Sequence, residues 1–178
     1  CGMMLGVGGA TKFSILKGMK HARETDEIYS DTIILTILLS VAFLMTGVFG
    51  SRKLASLLGA DEVTLEMTAT YLRWILIFAP AFMMNEVLQC FVRNDGAPNL
   101  VTIAMLAGSF SNIIMDYILI FPMKLGILGA VLATGFSPLA SILIMLPHWL
   151  KKKNTFHFVK TGIAAKLAGQ IASLGFPS

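Results

Sequence analysis

Long apolar runs separated by short polar stretches set the pattern of this chain. Uninterrupted apolar segments occupy Thr32–Gly50, Tyr71–Val92, Leu100–Met123 and Leu125–Leu150. Each approaches or exceeds the roughly 20 residues an α-helix needs to cross a bilayer. Lipid offers a backbone no hydrogen-bond partners, so each segment must satisfy its own amides as a helix. The pattern therefore predicts an all-α, polytopic membrane helix bundle with these four spans as a minimum. A further apolar stretch, Cys1–Leu16, opens the sequence without an initiator Met, and Gly175–Ser178 closes it where another helix would begin. Nothing basic precedes the first apolar run, which argues against a signal peptide. The expectation is a fragment.

The polar stretches carry an orientation. Lys17, Lys20 and Arg23 follow the first apolar segment, and Arg93 follows the third. Lys151, Lys152, Lys153, Lys160 and Lys166 follow the last, while the intervening loops hold Arg52 and Lys53 offset by Asp61, Glu62 and Glu66, or only Lys124. Basic residues thus favour alternate loops, as the positive-inside rule requires. It places Lys17–Asp31, Arg93–Asn99 and Lys151–Ser173 in the cytoplasm and the loops around Asp61 and Lys124 outside. Tyr71, Trp74 and Trp149 stand at span ends, where aromatic side chains meet the headgroups. Gly59-Ala60-Asp61-Glu62 reads as a helix stop followed by an acidic helix start. In the tail, Ile163, Leu167, Ile171 and Leu174 fall on one face beside Lys166 and Gln170, a pattern suited to a helix on the inner surface.

Composition agrees. The chain has 178 residues, of which 56% are hydrophobic and 13% charged, with a mean hydropathy of +0.77. Soluble domains carry about a quarter charged residues, so a water-facing surface is excluded and the lipid bilayer is the expected surrounding. The net charge of +4 lies in loops and is no nucleic-acid signature. Cys1 and Cys90 support neither a disulfide framework nor a metal site. His21, His148 and His157 are scattered without ligand spacing. Gly6-Val7-Gly8-Gly9 lacks the preceding strand and spacing of a phosphate loop and reads as helix packing. No catalytic arrangement stands out, so no enzyme and no cofactor are expected.

Two acids fall inside spans, where an ionisable side chain costs about 2.5–3.5 kcal/mol and is a functional candidate by default. Asp116 lies in Leu100–Met123 on a helical stripe with Thr102, Ser109 and Asn112, towards the outer end. Asn112 and Asp116 are four apart and meet on adjacent turns. A carboxylate beside an amide oxygen suits Na⁺, and the same carboxylate partly desolvated could carry a proton instead; the bland alternative is that the pair ties helices together. Glu86 lies in Tyr71–Val92 with Asn85 and Gln89, and Arg93 continues towards the inner edge. These polar groups would line a substrate path, unless Glu86 simply pairs with Arg93 or another helix. Pro80 should bend this helix. Gly126, Gly129, Ala130, Ala133, Thr134, Ser137 and Ser141 form a ribbon of small residues that permits close helix approach. The methionines fit an adaptable apolar lining.

Several stretches resemble the multidrug and toxic compound extrusion (MATE) family. Phe91-Val92-Arg93-Asn94-Asp95-Gly96-Ala97-Pro98 is similar to its inner-loop motif, in which Arg93, Gly96 and Pro98 are the marking residues. Asn112 with Asp116, Leu125 to Thr134 with Ser137, and Gly6 to Ser14 resemble its fifth, sixth and second helices. The resemblance implies a partial six-helix lobe of a twelve-helix protein. Residues 1–160 would be the truncated N-terminal lobe from the end of helix 2 to helix 6, and 161–178 the cytoplasmic inter-lobe linker with the start of helix 7. It further implies an antiporter in the plasma membrane that exports drugs, organic cations among them, by alternating access driven by Na⁺ or H⁺. Asn112, Asp116 and Thr134 match three of the family's cation-coupling residues; a helix 1 acid and the C-terminal lobe lie outside this chain. A flippase of lipid-linked sugars from the same superfamily, or a membrane scaffold, is the alternative; the spans lack the basic lining of the first, and a scaffold would not need Asp116.

Overall fold

The computed structural model describes residues 2–61, 64–150 and 154–159. Among them the chain forms α1 (Gly2–Gly18), α2 (Ala22–Leu57), α3 (Leu65–Ile77), α4 (Ala79–Asn94), α5 (Pro98–Ile120) and α6 (Ile127–Leu150). Arg23–Leu57, Pro98–Ile120 and Ile127–His148 are each long and apolar enough to cross a membrane, and α3 with α4 makes a fourth span bent by 44°. The all-α membrane bundle expected from the apolar pattern is what the chain forms. Cys1, Glu62, Lys151–Lys153, the tail from Lys160 onward with its expected surface helix and linker, and the side chain of Trp149 lie outside the described residues.

The bend falls where Pro80 predicts it. Phe78 ends α3 and begins α4, and Pro80 stands in the first turn of α4. Proline supplies no N–H to the preceding turn. The break is filled from α6: the Phe78 ring lies against Gly135, where an added Cβ would come within 2.3 Å of it, and edge-on to Phe136 at 5.5 Å.

The second helix is longer than its apolar core. At 36 residues and 1.5 Å per residue, α2 is about 54 Å long, well beyond the roughly 30 Å of hydrocarbon. Lys17–Asp31, expected as a loop, is thus mostly helix. The turn spans only residues 19–21, and Asp31 lies inside α2 with 3% exposure. Hydropathy marks the lipid-facing part of a helix and misses its continuation into the interface, where pairs such as Arg23 with Glu27 (3.2 Å) decorate it. The outer end of α2 likewise runs past Gly50 to Leu57. Gly59 then adopts φ +89° while Gly59 and Ala60 donate back to Ser56 and Ala55, a Schellman stop of the kind read from the sequence.

The ends sort as the charge pattern requires. Asp95, between α4 and α5, meets Lys17 from the end of α1 at 2.7 Å and His148 from the end of α6 at 2.9 Å. The stretches assigned to the cytoplasm therefore share one end of the lobe. At the other end Arg52 meets Glu66 at 2.9 Å, with both side chains 72% exposed. An exposed pair of that kind contributes little. The core concentrates at the inner end, where Phe13, Phe91 and Phe156 are fully buried and meet edge-on, with Val87, Val92, Val101 and Ile28 around them.

Candidate cation site on the α5–α6 seam

The fifth and sixth helices touch through atoms that small residues leave uncovered. Ser141 Oγ donates to the Ala104 carbonyl at 2.8 Å, and Ser137 Oγ donates to the Gly108 carbonyl at 2.9 Å. Nearer the outer end, Gly129 lies against Leu119. The small ribbon of α6 is the packing surface predicted for it, and Gly108 is its counterpart on α5.

This register locates the sequence candidates. A helix turns about 100° per residue, so each step of four drifts by about 40°. Ala104 and Gly108 point at α6; Asn112 and then Asp116 rotate progressively off that line. They therefore flank the seam and stay half-buried, while Ser109 and Thr102, further round, are exposed and fold their hydroxyls onto Met105 and Pro98 of their own helix. On α6, Thr134 shares the face of Ser137 and Ser141, level with Asn112 by the same register. Its hydroxyl donates to Ala130 at 2.9 Å. Asn112 and Asp116 make no side-chain hydrogen bond among the described residues. Pro138 has no N–H to give the Thr134 carbonyl, so that oxygen also lacks its ordinary helical donor. By helical register the Asp116 side chain, the Asn112 amide and the Thr134 carbonyl thus lie at neighbouring levels along the α5–α6 seam. No group of three or more His, Cys, Asp or Glu among the described residues could hold a metal ion, so a cation here would rest on one acid and neutral oxygens.

The α4 candidates divide. Asn85 and Gln89 are buried, at 8% and 7% exposure, on the side of α4 that packs into the lobe. Asn85 Oδ1 has no hydrogen-bond partner among the described residues. Glu86 is exposed, a helical step further round, on the same side as Arg93. No ion pair joins Glu86 to Arg93 among the described residues. One polar patch in the sequence is therefore two surfaces in the fold.

The inner-loop residues have structural work. Gly96 takes φ +95°, its N–H donates to Arg93, and Ala97 donates to Val92; Pro98 then opens α5. A Schellman turn followed by a helix-starting proline joins α4 to α5. Asp95, the capping residue, is the polar centre the sequence reading did not single out. Its side chain is inaccessible and accepts from Lys17, from His148 and from the backbone and hydroxyl of Thr155. Burial pushes its carboxyl up, and the hydrogen bonds from Lys17, Thr155 and His148 more than reverse this, leaving it below the usual carboxylate range.

The arrangement is that of one helical lobe of a multi-pass protein of the cell membrane, with a polar seam towards its outer end and a closed inner end. The chain belongs to the MatE family, whose profile matches residues 1–118. The multidrug export protein MepA of Staphylococcus saprophyticus is 33% identical over 179 residues, covering 99% of this chain and 40% of that protein. The chain thus spans about two-fifths of this curated relative. A multidrug resistance MATE family transporter of the MOP superfamily matches in its inward-facing conformation with a TM-score of 0.88 and 26% identity, over 99% of this chain and 41% of that one. An outward-facing structure described in the same words gives 0.88 and 25%, over 99% and 40%. The fold of this lobe is equally close to both conformations.

Proposed function

We propose that this chain is part of a cation-coupled antiporter that exports small-molecule drugs, organic cations among them, across the plasma membrane by alternating access. The observation that carries the coupling is the position of Asp116 and Asn112 beside the α5–α6 seam without hydrogen-bond partners among the described residues. A structural Asp would be tied to a neighbouring helix, whereas a coupling Asp must stay available to Na⁺ or H⁺. Thr134 supplies neutral oxygens level with Asn112, and an acid from a preceding helix would complete the site. Occupancy can drive movement only as far as the ion prefers one conformation. The equal likeness to inward- and outward-facing relatives supports a lobe that moves as a body. Exposed Glu86 is the candidate contact for a cationic substrate, with Asn85 and Gln89 behind it in the lobe. The test is Asp116→Asn in the intact transporter: ethidium efflux should be lost with membrane expression retained. Unchanged efflux would remove Asp116 from the mechanism.

A further inference from the structure

The chain does not simply leave α6 at its inner end; it turns back and is pinned. Residues 154–159 lie in irregular backbone, yet every second amide has a side-chain acceptor from α2 or from the α4–α5 turn. The N–H of Thr155 donates to Asp95 Oδ2 at 3.0 Å, that of His157 to Asp26 Oδ1 at 2.7 Å, and that of Val159 to Ser30 Oγ at 2.9 Å. The acceptors are side chains, not a neighbouring strand, so each bond depends on one residue. Between the first two amides Phe156 is fully buried. Its ring lies 5.7 Å from Phe13, 4.5 Å from Tyr29 and 5.9 Å from Phe91. One short segment thus closes over α1, α2 and α4.

We propose that residues 154–159 form a clasp that seals the inner end of the lobe, with Asp95 as its lock. The carboxylate joins parts far apart in sequence: Lys17 on α1, His148 on α6, and Thr155 on the clasp itself. With Asp95 ionised, the segment leaving α6 cannot swing and Phe156 stays in its aromatic box. When the carboxylate loses its charge, Lys17 and His148 have no anion to hold and the clasp releases as one unit, uncovering Phe13 and Phe91. While the clasp is closed the chain is fixed from the end of α6 as far as Val159; any consequence for transport rests on the transporter reading, whereas the clasp itself does not.

Hydrogen–deuterium exchange on the chain in detergent or nanodiscs tests this without transport. In the unaltered protein the peptide covering 154–159 should be protected despite having no helix or strand. Asp95→Asn should speed exchange across the whole peptide about ten- to hundredfold, the factor that losing a charge-assisted hydrogen bond implies, with α4 and α5 still protected. Asp26→Asn attacks the other end, leaves the α4–α5 turn untouched and should release Thr155 as well as His157. An unprotected peptide in the unaltered protein overturns the clasp. Release of only the amide next to each substitution overturns its action as a unit. Efflux lost in Asp116→Asn with the clasp intact, or a normal clasp in a protein that exports nothing, separates this inference from the proposed function.

Discussion

Replacing Gly108 by Ala would strike the α5–α6 seam at its tightest point. A Cβ there would lie 2.3 Å from Ser141 Oγ, 3.2 Å from the Ser137 carbonyl oxygen and 3.4 Å from Ser137 Oγ. The first contact is impossible, so Ser141 must rotate and give up its bond to Ala104. The second is with backbone, so α6 itself must shift by a few tenths of an ångström. Overpacking of this kind costs about 1–3 kcal/mol, and an interhelical hydrogen bond in a membrane protein is worth about 0.6 kcal/mol on average. Ala in place of a helical Gly returns about 0.5–1 kcal/mol. The net is a loss of about 2 kcal/mol, or about 4–8 °C in Tm for a chain of this size. Thermal unfolding of purified protein in one detergent measures it. Gly50→Ala is the control, because a Cβ there meets only Thr46 Cγ2 at 3.7 Å; its Tm should hold or rise. Adding Ser141→Ala to Gly108→Ala removes the worst contact, and the double variant should recover part of the loss, since contacting sites are not additive. A Gly108→Ala protein as stable as its parent would refute the seam geometry, and with it the register that places Thr134 level with Asn112.

Two further outcomes follow from the inner end. Asp95 has a carboxyl pKa below its ordinary value of about 3.9, so its contribution is complete above that value and is lost as pH falls through the lowered one. Protection of 154–159 should therefore persist at pH 5 and fail only in stronger acid; loss near neutral pH would point to another group as the lock. Lys20 occupies the left-handed region at φ +61° as the turn residue after α1, with Lys20 and His21 donating to Lys17 and Leu16. Lys20→Gly removes the Cβ penalty of roughly 1 kcal/mol and should raise Tm, and a lowered Tm would show that Lys20 has a role beyond the turn.

Sequence pattern sufficed wherever a property is local. Apolar length found the spans, Pro80 found the bend, Gly59 found a helix stop, and alternating basic loops sorted the two ends. The ribbon from Gly129 to Ser141 was legible as a packing surface because Gly, Ala and Ser have few other reasons to recur in a membrane helix, whereas Gly126 stands in the turn before α6 at φ +53° with open space around it. Helix length was not legible, because hydropathy ends where lipid ends and α2 does not. The α4 cluster misled for a different reason: Asn85, Glu86 and Gln89 are near in sequence, but about 100° separates adjacent residues on a helix, enough to bury two and expose the third.

Asp95 shows what remained hidden and why. Beside Arg93 and Gly96 it reads as one more loop charge, and its partners stand 78, 53 and 60 residues away in sequence. A buried carboxylate is tolerable only when donors converge on it from several elements, and convergence is a property of the fold. Two signals pointed towards it. Asp95 sits inside the short, tightly turned stretch between two spans, beside Arg93 and Gly96. The stretch Thr155-Phe156-His157-Phe158-Val159 is aromatic and β-branched immediately after a lysine run, a composition unsuited to a solvated linker. Together they describe a segment that must bury something at the inner face and an acid available to hold it there. The coupling role proposed for Asp116 needs the opposite: a carboxylate left without protein donors, so that an ion has a reason to bind. Among the described residues Asp95 is thus held by donors from several elements, whereas Asp116 has none, the contrast on which the proposed coupling role rests.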